Sequence, residues 1–182
     1  MALALLVVAL ACAAFFIVTY NGLTRLRQMA RNAWADIDVQ LRRRHDLVPN
    51  LVRAVEGHAG YERSTLEAVV GAREQALAAA GPSAAGSAED ALSRGISRIL
   101  ALAEAYPDLK AGQSFLDLQR SLVDIENHVQ DARRYYNAVV RDLNTRIEQF
   151  PSNLIAGPLG FRREEYFGLD DPSEASVPQV MP

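Results

Sequence analysis

SFLDLQRSLVDIENHVQDARRYYNAVVRDLNTRIEQ, residues 114–149, is the stretch whose spacing decides the architecture. It holds neither glycine nor proline, and apolar side chains recur at Phe115, Leu118, Leu122, Ile125, Val129, Ala132, Tyr136, Val139 and Leu143. Steps alternating between three and four keep those side chains on one face of an α-helix, whereas a strand would need every second residue. At 1.5 Å per residue such a helix is about 54 Å long. An apolar stripe of that length drives the helix against others in a left-handed, coiled-coil-like bundle. Ser114 and Asp117 resemble a capping box at its start. Phe150-Pro151 stops it, because proline disfavours helix at the residue before it.

Matching stripes lie upstream. One runs through Leu23, Leu26, Ala30, Trp34, Ile37 and Leu41, resumes at Val48, Val52, Val55 and Ala59, and continues at Leu66, Val69 and Ala76. The chain must reverse within it, at residues 46–49 or at residues 57–64. Pro49 suits the first turn of a new helix capped by Asp46. Gly57, Gly60 and the capping-box pair Ser64 and Glu67 suit the second site nearly as well. Residues 81–87, rich in small side chains, read as a loop. A shorter helix follows, with Leu92, Ile96, Ile99, Leu100 and Ala103, ending before Tyr106-Pro107. The expected fold is all-α: an N-terminal transmembrane helix (1–20), an antiparallel four-helix bundle (21–150) and an irregular tail (151–182). Phe161, Tyr166 and Phe167 should pack the first part of that tail on the bundle, with the rest increasingly mobile toward Met181.

The membrane segment is residues 1–18, which contain no polar or charged side chain. With Thr19 and Tyr20 they span roughly 30 Å as a helix, the thickness of a bilayer's hydrocarbon core. No lysine or arginine precedes the run, so a signal-anchor fits better than a cleaved signal peptide. A lipoprotein reading would acylate Cys12, the only cysteine, which is more often an inert small apolar residue among alanines. Arg25, Arg27 and Arg31 follow the run and predict a bundle on the cytoplasmic side of the cell membrane. Those arginines favour anionic headgroups locally, while the formal charge of -3 for the whole chain argues against nucleic acid.

The same residues carry a family resemblance. Residues 20–52, YNGLTRLRQMARNAWADIDVQLRRRHDLVPNLV, resemble the opening signature of the LemA family. So do AEAYPDLKA (103–111), ARRYYNAVVRDLNT (132–145) and FPSNLIA (150–156) with the Gly-Phe and Tyr-Phe pairs that follow. The resemblance implies a membrane anchor and a cytoplasmic antiparallel four-helix bundle, with no catalytic residues to carry over. One branch is implicated in forming the organelle membranes of magnetic bacteria, which by analogy suggests a membrane-organising role. Some relatives resemble lipoproteins with a cysteine close before the Tyr-Asn pair. Cys12 departs from that pattern, lying eight residues before Tyr20.

Tests for chemistry point away from catalysis. A di-iron bundle site needs Glu-x-x-His pairs. His45, His58 and His128 instead follow Arg42, Val55 and Ile125 by three residues. Glu126 and His128 point to different helix faces. There is no Gly-x-Ser-x-Gly elbow and no phosphate-binding glycine loop. The expectation is a non-enzyme without metal or cofactor, acting as a scaffold or self-assembling module, with the lipid bilayer, further copies of itself or a membrane protein as partners. The alternative is a signalling or adaptor module for a membrane protease or other envelope protein. Candidate partner or headgroup contacts are Arg25, Arg27, Arg31, Arg42, Arg43, Arg44, Arg134, Tyr135 and Asn137. For Arg42 to Arg44 the simpler expectation is a solvated face, with Arg42 paired to Asp38. For Arg134, Tyr135 and Asn137 it is bracing of the bundle against the tail.

Overall fold

The structure is a computed structural model in which residues 1–57 and 63–168 are described. Among the described residues there are six helices and no strand: α1 (Ala2–Glu56), α2 (Arg63–Ala78), α3 (Pro82–Ala103), α4 (Pro107–Lys110), α5 (Gln113–Glu148) and α6 (Asn153–Ala156). Four long helices pack together, chiefly α1 against α5 and α2 against α3. α1 and α5 are antiparallel: Gly22 lies beside Arg146, Trp34 beside Tyr136, and Arg44 beside Glu126. On α5, Phe115, Leu122, Ile125, Val129, Tyr136, Val139 and Leu143 are buried, and Leu118 and Ala132 are half-buried. Truncating a fully buried member such as Leu143 to alanine costs about 2–5 kcal/mol.

Unequal helix lengths divide the core in two. α2 has 16 residues and α3 has 22, against 36 for α5. Both therefore cover mainly the far half of α1, where Val48, Leu51 and Val55 meet Leu66, Val69, Leu92, Ile99 and Phe115. In the near half, Leu23, Ala30, Ala33 and Ile37 meet Val139, Val140 and Leu143, and the tail closes the gap with Ala156, Phe161 and Phe167. Trp34, half-buried, packs its ring 5.8 Å from Tyr136 and 6.0 Å from Phe167.

The structure settles one open alternative and changes two local expectations. α1 runs unbroken through Pro49, so the reversal falls between Glu56 and Arg63. Proline leaves the carbonyl four residues upstream without its helical donor. That carbonyl belongs to His45, and Arg73 Nε on α2 donates to it at 2.8 Å. Tertiary contact thus replaces the missing bond. Second, residues 82–87 are helical: α3 starts at Pro82, whose absent N–H costs nothing at a first helical position, after Gly81 at φ 86°. The small residues there serve packing, since a Cβ on Gly86 would collide with the backbone of Gly168. Third, neither capping box forms as read. α5 begins at Gln113 behind Gly112, with no side-chain cap, and α2 begins at Arg63, before Ser64. Ala59, Gly60 and His58, and the tail after Gly168, lie outside the described residues.

Candidate functional site

In the last quarter of α1, Arg44 follows Leu41 by three residues and precedes Val48 by four, which puts it on the apolar stripe. It is 2% exposed. This corrects the solvated reading for one of the three consecutive arginines. Arg42 and Arg43 are exposed, and Arg42 pairs with Asp38 at 2.7 Å. Arg44 Nη1 donates to Glu89 at 3.1 Å and to Ser93 Oγ at 2.8 Å, and Nη2 donates to Glu126. Ser93 Oγ donates in turn to Glu126 at 3.1 Å, and His45 Nε2 meets the second oxygen of Glu89 at 2.5 Å. A carboxylate only accepts, so Nε2 carries the histidine proton in this arrangement. His45 Nδ1 is buried without a hydrogen-bond partner among the described residues.

Burying a guanidinium is tolerable only when its donors are met, and here α1, α3 and α5 each supply part of the set. Chemically the network is a register lock: sliding any of the three helices would strand a charge. A groove of about 270 Å³ opens beside it, lined by Arg44, Ser93, Ser97, Leu122, Glu126 and Asn127. Glu89 was not singled out from sequence, although a signal existed. It precedes Leu92 by three residues and Ile96 by seven, the register of the buried face of α3.

A second constellation holds the tail. Asn137 Nδ2 donates to the Phe167 carbonyl at 3.2 Å and its Oδ1 accepts from the Phe167 N–H at 2.9 Å. Asn144 does the same for Glu164, at 2.9 Å in both directions. Seven helical residues rise about 10.5 Å and three extended residues span about 10 Å, so the two amides match the tail's own spacing. Tyr136 Oη donates to the Glu165 carbonyl at 2.8 Å. Burial raises the Tyr136 phenol above its ordinary range, with Glu164 and Glu165 adding to the shift. Arg133 donates to the Gly168 carbonyl and pairs with Asp90 at 3.2 Å.

Of the other candidates, Arg25 and Arg31 are exposed, while Arg27 is half-buried with its guanidinium 4.6 Å from the Phe161 ring centre. Arg134 pairs with Asp131 on the surface, and Tyr135 is 52% exposed. The nine candidates therefore do not form one patch. Among the described residues, no three His, Cys, Asp or Glu side chains gather to hold a metal ion.

The class defined by this fold is a helical bundle whose first helix is long and apolar enough, by length and composition, to cross a membrane. The chain belongs to the LemA family, whose sequence model matches residues 33–181. It is similar to the magnetosome protein MamQ of Magnetospirillum gryphiswaldense, 25% identical over 177 residues, covering 83% of this chain and 65% of MamQ. It is equally similar to magnetosome proteins MamQ 1 and MamQ 2 of Paramagnetospirillum magneticum, each 25% identical over 194 residues, with 90% of this chain and 71% of the relative covered. The chain thus spans less than two thirds of the first of these relatives.

Proposed function

We propose that this protein is a membrane-anchored scaffold of the LemA type, acting by binding or self-assembly rather than catalysis, with its bundle on the cytoplasmic side of the cell membrane. The observation that carries the reading is the continuity of α1. Residues 2–18 are exposed and contact the bundle little, whereas Thr19 is 1% and Leu23 0% exposed, within one uninterrupted helix. An apolar surface of that size needs a lipid partner. Without a hinge, the anchor would hold the bundle at a defined angle to the bilayer, as a displayed assembly surface requires. Arg25, Arg27 and Arg31 support the cytoplasmic orientation. Similarity to magnetosome proteins supports a membrane-organising role.

An adaptor reading is favoured by a different feature. A groove of about 500 Å³ between α1 and α2 is lined by Val52, Leu66 and Val70 and edged by Glu56, Glu67 and Glu74, with Arg63 as the one basic residue, so its rim is net acidic. That surface suits a basic amphipathic segment of an envelope protein. Crosslinking in native membranes, from a cysteine introduced at exposed Ser114 in a Cys12→Ala background, separates the readings. Homotypic ladders are expected for the scaffold, and a discrete heterologous adduct for the adaptor. Protein that stays monomeric in membranes and captures nothing refutes both.

A further inference from the structure

We infer that the α5–α6 turn is a second membrane contact, dipping Phe150, Leu154 and Leu159 into the bilayer surface beside the anchor. The inference rests on the membrane-anchored reading of α1. Its starting point is exposure: Phe150 is 73%, Leu154 66% and Leu159 43% exposed, within ten residues of one another in sequence.

Their position is tied down from both sides. Arg146 Nη2 lies 4.0 Å from where a Cβ on Gly22 would sit, so the end of α5 is level with the start of the packed part of α1. Because α5 is antiparallel to α1, the turn after Arg146 lies on the apolar-run side of that level. The Tyr20 and Phe161 rings meet edge to face at 6.0 Å. Ser152 Oγ bonds back to the Arg146 and Gln149 carbonyls at 2.6 and 2.8 Å, and buried Ile155 and Ala156 seat α6 between α1 and α5. Leu154 is consequently turned out by packing on the opposite side.

The occupant follows from this place and from charge. Tyr20 sits where an interfacial aromatic belongs, and apolar side chains at that level reach roughly 5–10 Å into the headgroup boundary. Between Leu143 and Arg163 the only acid is Glu148, which Arg163 holds at 3.1 Å. Exposed Asp142, Glu164 and Glu165 lie just outside this stretch, with Glu164 bonded to Asn144 where the tail runs back along α5 and away from the tip. Exposed Arg25, Arg146 and Arg162 add positive charge around the apolar tip. Apolar side chains rimmed by arginine fit an anionic lipid surface.

The test uses the full chain with Cys12→Ala, reconstituted in phosphatidylethanolamine–phosphatidylglycerol vesicles and labelled with nitrobenzoxadiazole at Leu154→Cys. Phe16→Cys and Ser114→Cys mark the anchor and the far end of α5. The expected result is blue-shifted emission at Leu154→Cys, quenched strongly by shallow nitroxide lipids, with Ser114→Cys aqueous and unquenched. An aqueous Leu154→Cys probe beside a quenched Phe16→Cys probe overturns the second contact and leaves the anchor standing. A blue shift without lipid quenching assigns the turn to a protein surface and overturns it as well. Aqueous probes at both Leu154→Cys and Phe16→Cys refute the anchored reading and this inference together.

Discussion

Arg44→Met is the most demanding perturbation this structure offers. Methionine fills much of the arginine's volume, so the change removes a charge without opening a large hole. Glu126, 38% exposed, can turn to water. Glu89 is 3% exposed and keeps only His45, so its carboxylate stays buried without its main counter-charge. Removing one partner of a buried pair costs roughly 3–5 kcal/mol. At roughly 2–4 °C per kcal/mol for a chain of this size, the midpoint should fall by about 6–20 °C. Thermal unfolding of the detergent-solubilised full chain, followed by far-ultraviolet circular dichroism, reads this directly. Arg44→Met combined with Glu89→Leu should recover more than half of the loss, because a well-packed apolar replacement is often neutral. A single variant within about 1 kcal/mol of the parent, or a double variant no better than the single, refutes the idea that a desolvated pair governs stability here.

Four shorter predictions follow from the other contacts. Asn144→Ala leaves the Glu164 N–H and carbonyl unpaired, at about 1–3 kcal/mol, and should speed tryptic cleavage after exposed Arg162 and Arg163; an unchanged cleavage rate argues against the latch. Gly86→Val should push the tail from α3 and shift Trp34 emission to the red, since Trp34 packs 6.0 Å from Phe167. Arg73→Ala should cost about 1–3 kcal/mol by orphaning the His45 carbonyl, and urea unfolding with no change would show that α1 passes Pro49 unaided. A raised phenol in the folded state stabilises below its ordinary value of 10.0 and loses that contribution as pH climbs above it. Unfolding free energy should therefore fall more steeply above about pH 10 for the parent than for Tyr136→Phe, and parallel curves would contradict the shift.

The candidate sites were only partly visible along the chain. Asn137 was expected to face a partner or brace the tail, and it bonds Phe167 through both amide atoms. Arg42 pairs with Asp38 as i,i+4 spacing predicts, because both partners lie on one helix. Arg44 escaped because a run of arginines resembles solvated surface, while its register on the stripe is visible only residue by residue. Glu89 escaped for a related reason: residues 81–87 read as a loop, which obscured the register of the helix that carries it.

The apolar run of residues 1–18 and the three-four spacing of α5 are properties of local sequence. Periodicity and length alone make one segment long and apolar enough to cross a membrane and give the other a stripe that needs helices against it. Where the chain reverses was open, because Pro49 and the glycines near residue 57 are comparable local signals. In the fold α1 continues through Pro49, with Arg73 on α2 reaching the His45 carbonyl that proline leaves without a helical donor, and no local rule can see a donor 28 residues away. The buried charge was settled in the same way. Arg44 becomes a core residue because Glu89 and Glu126 arrive from two other helices, and desolvating a cation is tolerable only once all of them are assembled.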